Sequence, residues 1–168
     1  MANSFEFKDS IDYAKLNKVA GTKDEILIGY PSGMAHYNPD GEASDMAEDA
    51  KKLSFGTDKY PARPFLEDGI SDNIPAIQAA INQHYTNVVS GNGSDMGLWK
   101  IARIAIGGIQ DFVKGDYYKS TAPNSEATIA KKSTRQKGKW LLSDTPLMDI
   151  GNMINGIVEI VNGKKGGK

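Results

Sequence analysis

The 168 residues carry 20 Lys and Arg against 21 Asp and Glu, a formal net charge of −1, with 39% hydrophobic residues and no cysteine. That balance describes a folded chain, long enough for a single domain with its own core. It excludes disulfides and thiolate chemistry and argues against a generic nucleic-acid binder, which is usually basic overall.

Along the chain, residues 5–16 read as a short helix or strand, followed by a turn at Gly21. Glu25–Tyr30 is the first clear strand, β-branched and aromatic and stopped by Pro31. Pro31–Gly41 reads as a loop or a wide hairpin tip. Asp45 with Glu48 three residues on resembles a capping box, so a helix starts near Ser44 or Asp45. The acids between Asp40 and Asp49 suit its positive end, and Lys51 and Lys52 suit the other. A metal site there lacks a second ligand cluster.

Gly56 suits a helix C-cap. Pro61 and Pro64 then bracket Ala62 and Arg63, and each proline fixes its own φ and pushes its predecessor toward extended geometry. Tyr60–Phe65 is therefore expected as a stiff, nearly extended rod. Phe65 drops into the core, while Arg63 points toward solvent or a partner chain. An N-cap at Ser71 or Asp72 places Pro75 in the first turn of a helix, with Ile74, Ile77, Ile81, Tyr85 and Val88 at helical spacing. Ser90–Ser94 breaks it. Asp95–Lys114 is a second helix, striped with Leu98, Ala102, Ala105, Ile109 and Phe112 and widened by Trp99, Ile106 and Val113. Gly107 and Gly108 cost it about 1 kcal/mol each relative to Ala, a cost understandable if another backbone packs closely there.

Residues 115–145 read as an extended arm that packs on a neighbour, since unstructured stretches this long are uncommon in compact domains. A short helix over Asn124–Lys132 is expected within it. Its cations Lys131, Lys132, Arg135, Lys137 and Lys139, followed by Trp140, have three readings: a docking strip for the acidic Asp40–Asp49 patch of an adjacent copy, a solvated loop, or phosphate contacts with nucleic acid. Asp149–Asn155 reads as a turn or short helix, Gly156–Val161 as a closing strand, and 162–168 as a disordered basic tail.

No catalytic constellation emerges. Val88–Gly97 superficially suggests a dinucleotide loop, but it follows a helical period and its third glycine falls one position late, so a helix–turn–helix connector is expected. His36 and His84 lack partners and default to surface or loop positions. Asp144 and Asp149 have no spacing that places them across a shared substrate. No nucleophile elbow or Walker loop occurs. Neither an enzyme nor a cofactor is expected. No apolar run approaches the ~18 residues that span a bilayer. Met1–Lys8 lacks the layout of a signal peptide, so neither membrane association nor secretion by the usual route is expected.

Ala47–Thr57 (AEDAKKLSFGT) followed by Tyr60–Leu66 (YPARPFL), with Ala127–Lys132 (ATIAKK) and Thr145–Met153 (TPLMDIGNM) in the same order, resembles a family signature. It is similar to the Mu-like virion-morphogenesis group of tailed-bacteriophage tail-completion and neck proteins, relatives of the lambda minor tail protein Z family. The resemblance runs from about residue 26 to 162. Ser54 stands where that group usually has an acid, and Ile150 where it usually has Thr. The resemblance implies a structural virion protein of the neck, assembled in the host cytoplasm. It would form a homo-oligomeric, hexameric ring joining the tail to the head connector. Its partners would be copies of itself and the neighbouring neck, connector, tail-tube and terminator proteins, with incidental contact to genomic DNA.

Tail terminator and head-closure roles are alternatives, and a nucleic-acid-binding module using residues 131–140 is an alternative of another class. The motif residues expected at interfaces are Phe55, Gly56, Thr57, Pro61, Arg63, Pro64, Phe65, Pro146, Leu147, Asp149 and Gly151. The expected fold is α+β: a small, mostly antiparallel sheet containing Glu25–Tyr30 and Gly156–Val161, packed with the two longer helices and carrying the arm.

Overall fold

The computed structural model describes residues 21, 23–37, 43–58, 61–115, 118, 120, 123–135 and 152–166. The fold is α+β, with a small antiparallel sheet and several helices. The β-branched run ahead of Pro31 forms β1 (Ile26–Gly29), which pairs antiparallel with β4 (Val158–Val161), Ile26 opposite Val161. Asn162 extends this pairing by donating its backbone N–H to Glu25 O at 2.9 Å and accepting from Glu25 N–H through Oδ1 at 2.9 Å. Beyond β4 lies β5 (Lys164–Lys165), giving the order β1-β4-β5. Residues 162–166 are thus not the disordered tail expected from their composition. Asn162 (φ 49°) and Gly163 (φ 76°) both adopt left-handed backbone, as the two central residues of a type I′ hairpin turn must. A separate two-stranded ribbon joins β2 (Ala35–Tyr37) to β3 (Ala43–Asp45).

Helix α1 (Met46–Phe55) starts where the capping signal places it. The Asp45 carboxylate accepts from Ala47 N–H at 2.8 Å and from Gly33 N–H at 2.7 Å, tying the helix start to the preceding loop. Helix α2 (Phe65–Asp72) was not expected from the sequence. Its first turn carries Glu67 and Asp68, which suit the positive end of the helix.

Helices α3 (Ile74–Val89) and α4 (Asp95–Lys114) match the two expected long helices, joined by the expected connector. Asn73, rather than Ser71 or Asp72, precedes α3, and its side-chain amide donates to Ile104 O of α4 at 2.9 Å.

Helix α4 is the central element, with α2 and α3 against it and β1 and β4 on another flank. Phe65, Ile109, Val113, Tyr118, Ile154 and Met46 form one core cluster. Leu98, Ile101, Ala102 and Val161 form the other, with Ile77 and Ile81 packed on it. Ile74, expected on the packed stripe of α3, is instead 53% exposed. Close helix approach occurs at Gly69, where an added Cβ would lie 2.7 Å from Ile109 Cα. The pair in α4 behaves differently: Gly108 faces the Asn73 side chain, whereas nothing lies within 4 Å of a Cβ built on Gly107. The backbone approach expected at that pair therefore falls one partner away, at Gly69.

Two further short helices are described, α5 (Glu126–Arg135) and α6 (Asn152–Asn155). No described helix is long and apolar enough to cross a membrane.

Candidate assembly surface around the proline brace

The first motif spans the end of α1 and the entry to α2. Gly56 terminates α1 with φ 75°, a left-handed conformation that glycine adopts without a Cβ penalty. Phe55, immediately before it, is 75% exposed. Thr57 and Pro61 are exposed as well.

The rod is shorter than expected. Arg63 N–H donates to Leu53 O at 2.7 Å, so the strap is stitched to α1. Phe65 N–H then donates to Arg63 O at 2.7 Å across Pro64, whose φ −74° and ψ 58° are those of an inverse γ-turn. The chain bends at Pro64 and enters α2 directly. Proline serves here because its fixed φ suits the turn and its missing N–H is not needed there.

Phe65 is fully buried, as expected, with its ring tilted 55° against Tyr30 at 6.4 Å between centroids. Tyr30 donates its hydroxyl to Met153 O at 2.6 Å. Burial pushes its phenol well above the usual range.

The Arg63 side chain is half-buried. Its Nη2 donates to Pro123 O at 2.8 Å, and its Nε is buried with no hydrogen-bond partner among the described residues. The nearby Tyr118 hydroxyl is also buried and unpartnered among them. Burial raises the Tyr118 phenol above its usual range, with the Arg63 charge pulling the other way and Asp68 adding to the rise. The Tyr118 ring packs on Phe112 at 5.5 Å. The first part of the 115–145 arm is therefore held on its own body, by Tyr118 in the core and by the Arg63 latch at Pro123.

Beyond the latch, Ser125 caps α5 by accepting from Thr128 N–H at 3.3 Å. Helix α5 packs extensively on no other described helix or strand. Lys131 is exposed on it, and Lys132 and Arg135 lie along it. Lys137, Lys139, Pro146, Leu147, Asp149 and Gly151 lie outside the described residues.

The acidic patch expected to receive the arm is partly committed internally. Asp45 caps α1, and Asp49 accepts from Ser44 Oγ and stands 3.7 Å from Lys52. Glu48 is exposed, and Asp40 and Glu42 lie outside the described residues.

His84 overturns its expected surface position. It is 5% exposed on α3, with Nε2 3.9 Å from Asp24 Oδ2 and its ring edge-on to Tyr85. Gly97 makes room for it, since a Cβ there would lie 2.1 Å from His84 Nδ1. Its helical position facing an unusual glycine is a signal that sequence spacing alone does not expose. His36 lies in β2.

Comparison with protein-family models, with curated proteins and with solved structures found no match.

Proposed function

We propose that this chain is a structural virion protein of the phage neck, a homo-oligomeric ring at the head–tail junction that works through interface geometry rather than catalysis. The observation that carries the reading is the Arg63 latch. A residue of the family-like motif holds Pro123, at the root of the segment that carries α5, a helix in no extensive contact with another described helix or strand. A 10-residue helix is marginal alone in water, because nucleation is costly and most helical stability comes from packing. An α5 that docks on a neighbouring copy gains that packing. Tail-terminator and head-closure roles need the same ring and remain within this proposal.

Electron microscopy of particles assembled without the chain tests it. Full heads and finished tails accumulating separately are expected. Normally joined, infectious particles would overturn it. Retention of the purified chain on duplex DNA, falling steeply with salt, together with normal joining would favour the nucleic-acid alternative.

A further inference from the structure

Buried polar atoms in folded chains nearly always have a hydrogen-bond partner, so two unpartnered ones at one place need a reason. Arg63 Nε and the Tyr118 hydroxyl are such a pair: both are buried and neither is hydrogen-bonded among the described residues. Arg63 and Asp68 both bring charge to that hydroxyl. The two side chains form the seat of the arm. Tyr118 is 2% exposed, in the core cluster with Phe65 and Val113 and against the Phe112 ring. Further on, Pro123 O accepts from Arg63 Nη2, and α5 begins at Glu126.

This seat is balanced against itself. Burial of the Tyr118 ring favours it, as for any large apolar surface. Burial of the hydroxyl and of the Arg63 Nε–H without partners opposes it by a comparable amount. Outside the seat, water hydrogen-bonds both atoms. The contact to Pro123 O is solvent-exposed, so water can replace it as well. Tyr30 shows the contrast. Its ring also packs on Phe65, but its hydroxyl has Met153 O at 2.6 Å, so its polar atom is satisfied where it lies.

We infer that the Arg63–Tyr118 seat is a release catch for the arm. Tyr118 and Pro123 alternate between the seated form and a freed form in which Tyr118 and Arg63 are hydrated, and α5 moves with them. This rests on the ring reading above and adds what controls it. A neighbouring copy that takes α5 only from the freed form draws the chain into that form, by the difference in its affinity for the two. Lone copies hold α5 back, and assembling copies release it.

Removing the unpaired hydroxyl tests the catch. Tyr118→Phe keeps the ring and deletes the opposing group, so the seat should tighten. Trypsin cuts after Lys119 only when its neighbour Tyr118 has left the core, and such cleavage tracks the population of the open form. In the dilute monomer that cleavage should slow on the order of tenfold, the effect of one unpaired buried polar atom. Tyr118→Ala, which deletes ring and hydroxyl together, should speed it. Tyr30→Phe is the control: it strands Met153 O and lowers the melting temperature, whereas Tyr118→Phe raises it. In sedimentation, Tyr118→Phe should weaken self-association by the same factor as it slows cleavage, because the competent form is rarer by that factor.

Faster or unchanged cleavage in Tyr118→Phe, the result for a hydroxyl that has a partner, overturns the inference. Slower cleavage beside unweakened association keeps the ring reading and overturns the catch as its control. A wild-type chain that stays monomeric overturns the ring reading, and slowed cleavage still upholds the catch.

Discussion

Replacing Gly69 by Ala, with Gly107→Ala as its control, separates what helix propensity says from what packing says. Both glycines lie inside helices, and on propensity alone each Ala variant should be more stable by up to about 1 kcal/mol. The structure divides them. At Gly107 a new methyl meets nothing within 4 Å, so the propensity gain is kept. At Gly69 the methyl would sit 2.7 Å from Ile109 Cα and 3.2 Å from its Cβ. Carbon contacts are comfortable at about 3.5–4.0 Å, so α2 and α4 must part by about 1 Å. A backbone atom cannot rotate aside as a side-chain tip can. Overpacking of this kind costs about 1–3 kcal/mol, which exceeds the propensity gain. Gly69→Ala is therefore expected to be less stable than wild type by about 1–2 kcal/mol, and Gly107→Ala more stable by about 0.5–1 kcal/mol. Urea unfolding followed by tryptophan fluorescence and circular dichroism reads both, with unchanged m-values as the sign of two-state behaviour. If Gly69→Ala proves as stabilising as Gly107→Ala, α2 does not cross α4 at Ile109.

Arg63→Ala should leave the core folded, cost about 1–2 kcal/mol for a lost charge-assisted hydrogen bond, and speed tryptic cleavage at Lys131; unchanged cleavage would deny the latch. Backbone N–H groups of Gly33 and Ala47 hold the Asp45 carboxyl below its usual range, aided by Glu48 and opposed by desolvation. A depressed folded pKa stabilises above the unfolded value of about 3.9 and is lost as pH falls through it toward the folded value. Asp45→Ala should therefore lower the melting temperature at neutral pH and by much less near about pH 3, and an equal loss at both would refute the linkage. Gly163→Ala should cost about 1–2 kcal/mol by forcing a side chain into left-handed backbone, whereas a disordered tail would show no change.

The long helices were legible because stripes such as Leu98, Ala102, Ala105 and Ile109 repeat at helical spacing over many turns, and β1 and β4 because they are β-branched runs with clear stops. Helix α2 was not. Its eight residues are too few to display a period, and Gly69 at its centre reads as a breaker until Ile109 is seen against it. Pro64 followed by Glu67 and Asp68 was a usable start signal. The Asn162–Gly163 dipeptide likewise announces a hairpin, masked by the Lys- and Gly-rich residues after it. The contact of Arg63 with Pro123 was beyond any alternation rule, since it joins residues 60 apart in sequence. A groove that joins α4 to Gly166 of the β5 hairpin brings together residues far apart in sequence, which only long-range packing reveals.

The mass of the purified chain in solution bears most directly on the proposed closed ring. Native mass spectrometry across a concentration series should show monomer giving way to one discrete multimer. A chain that remains monomeric at every concentration, or grows without a preferred size, would contradict it.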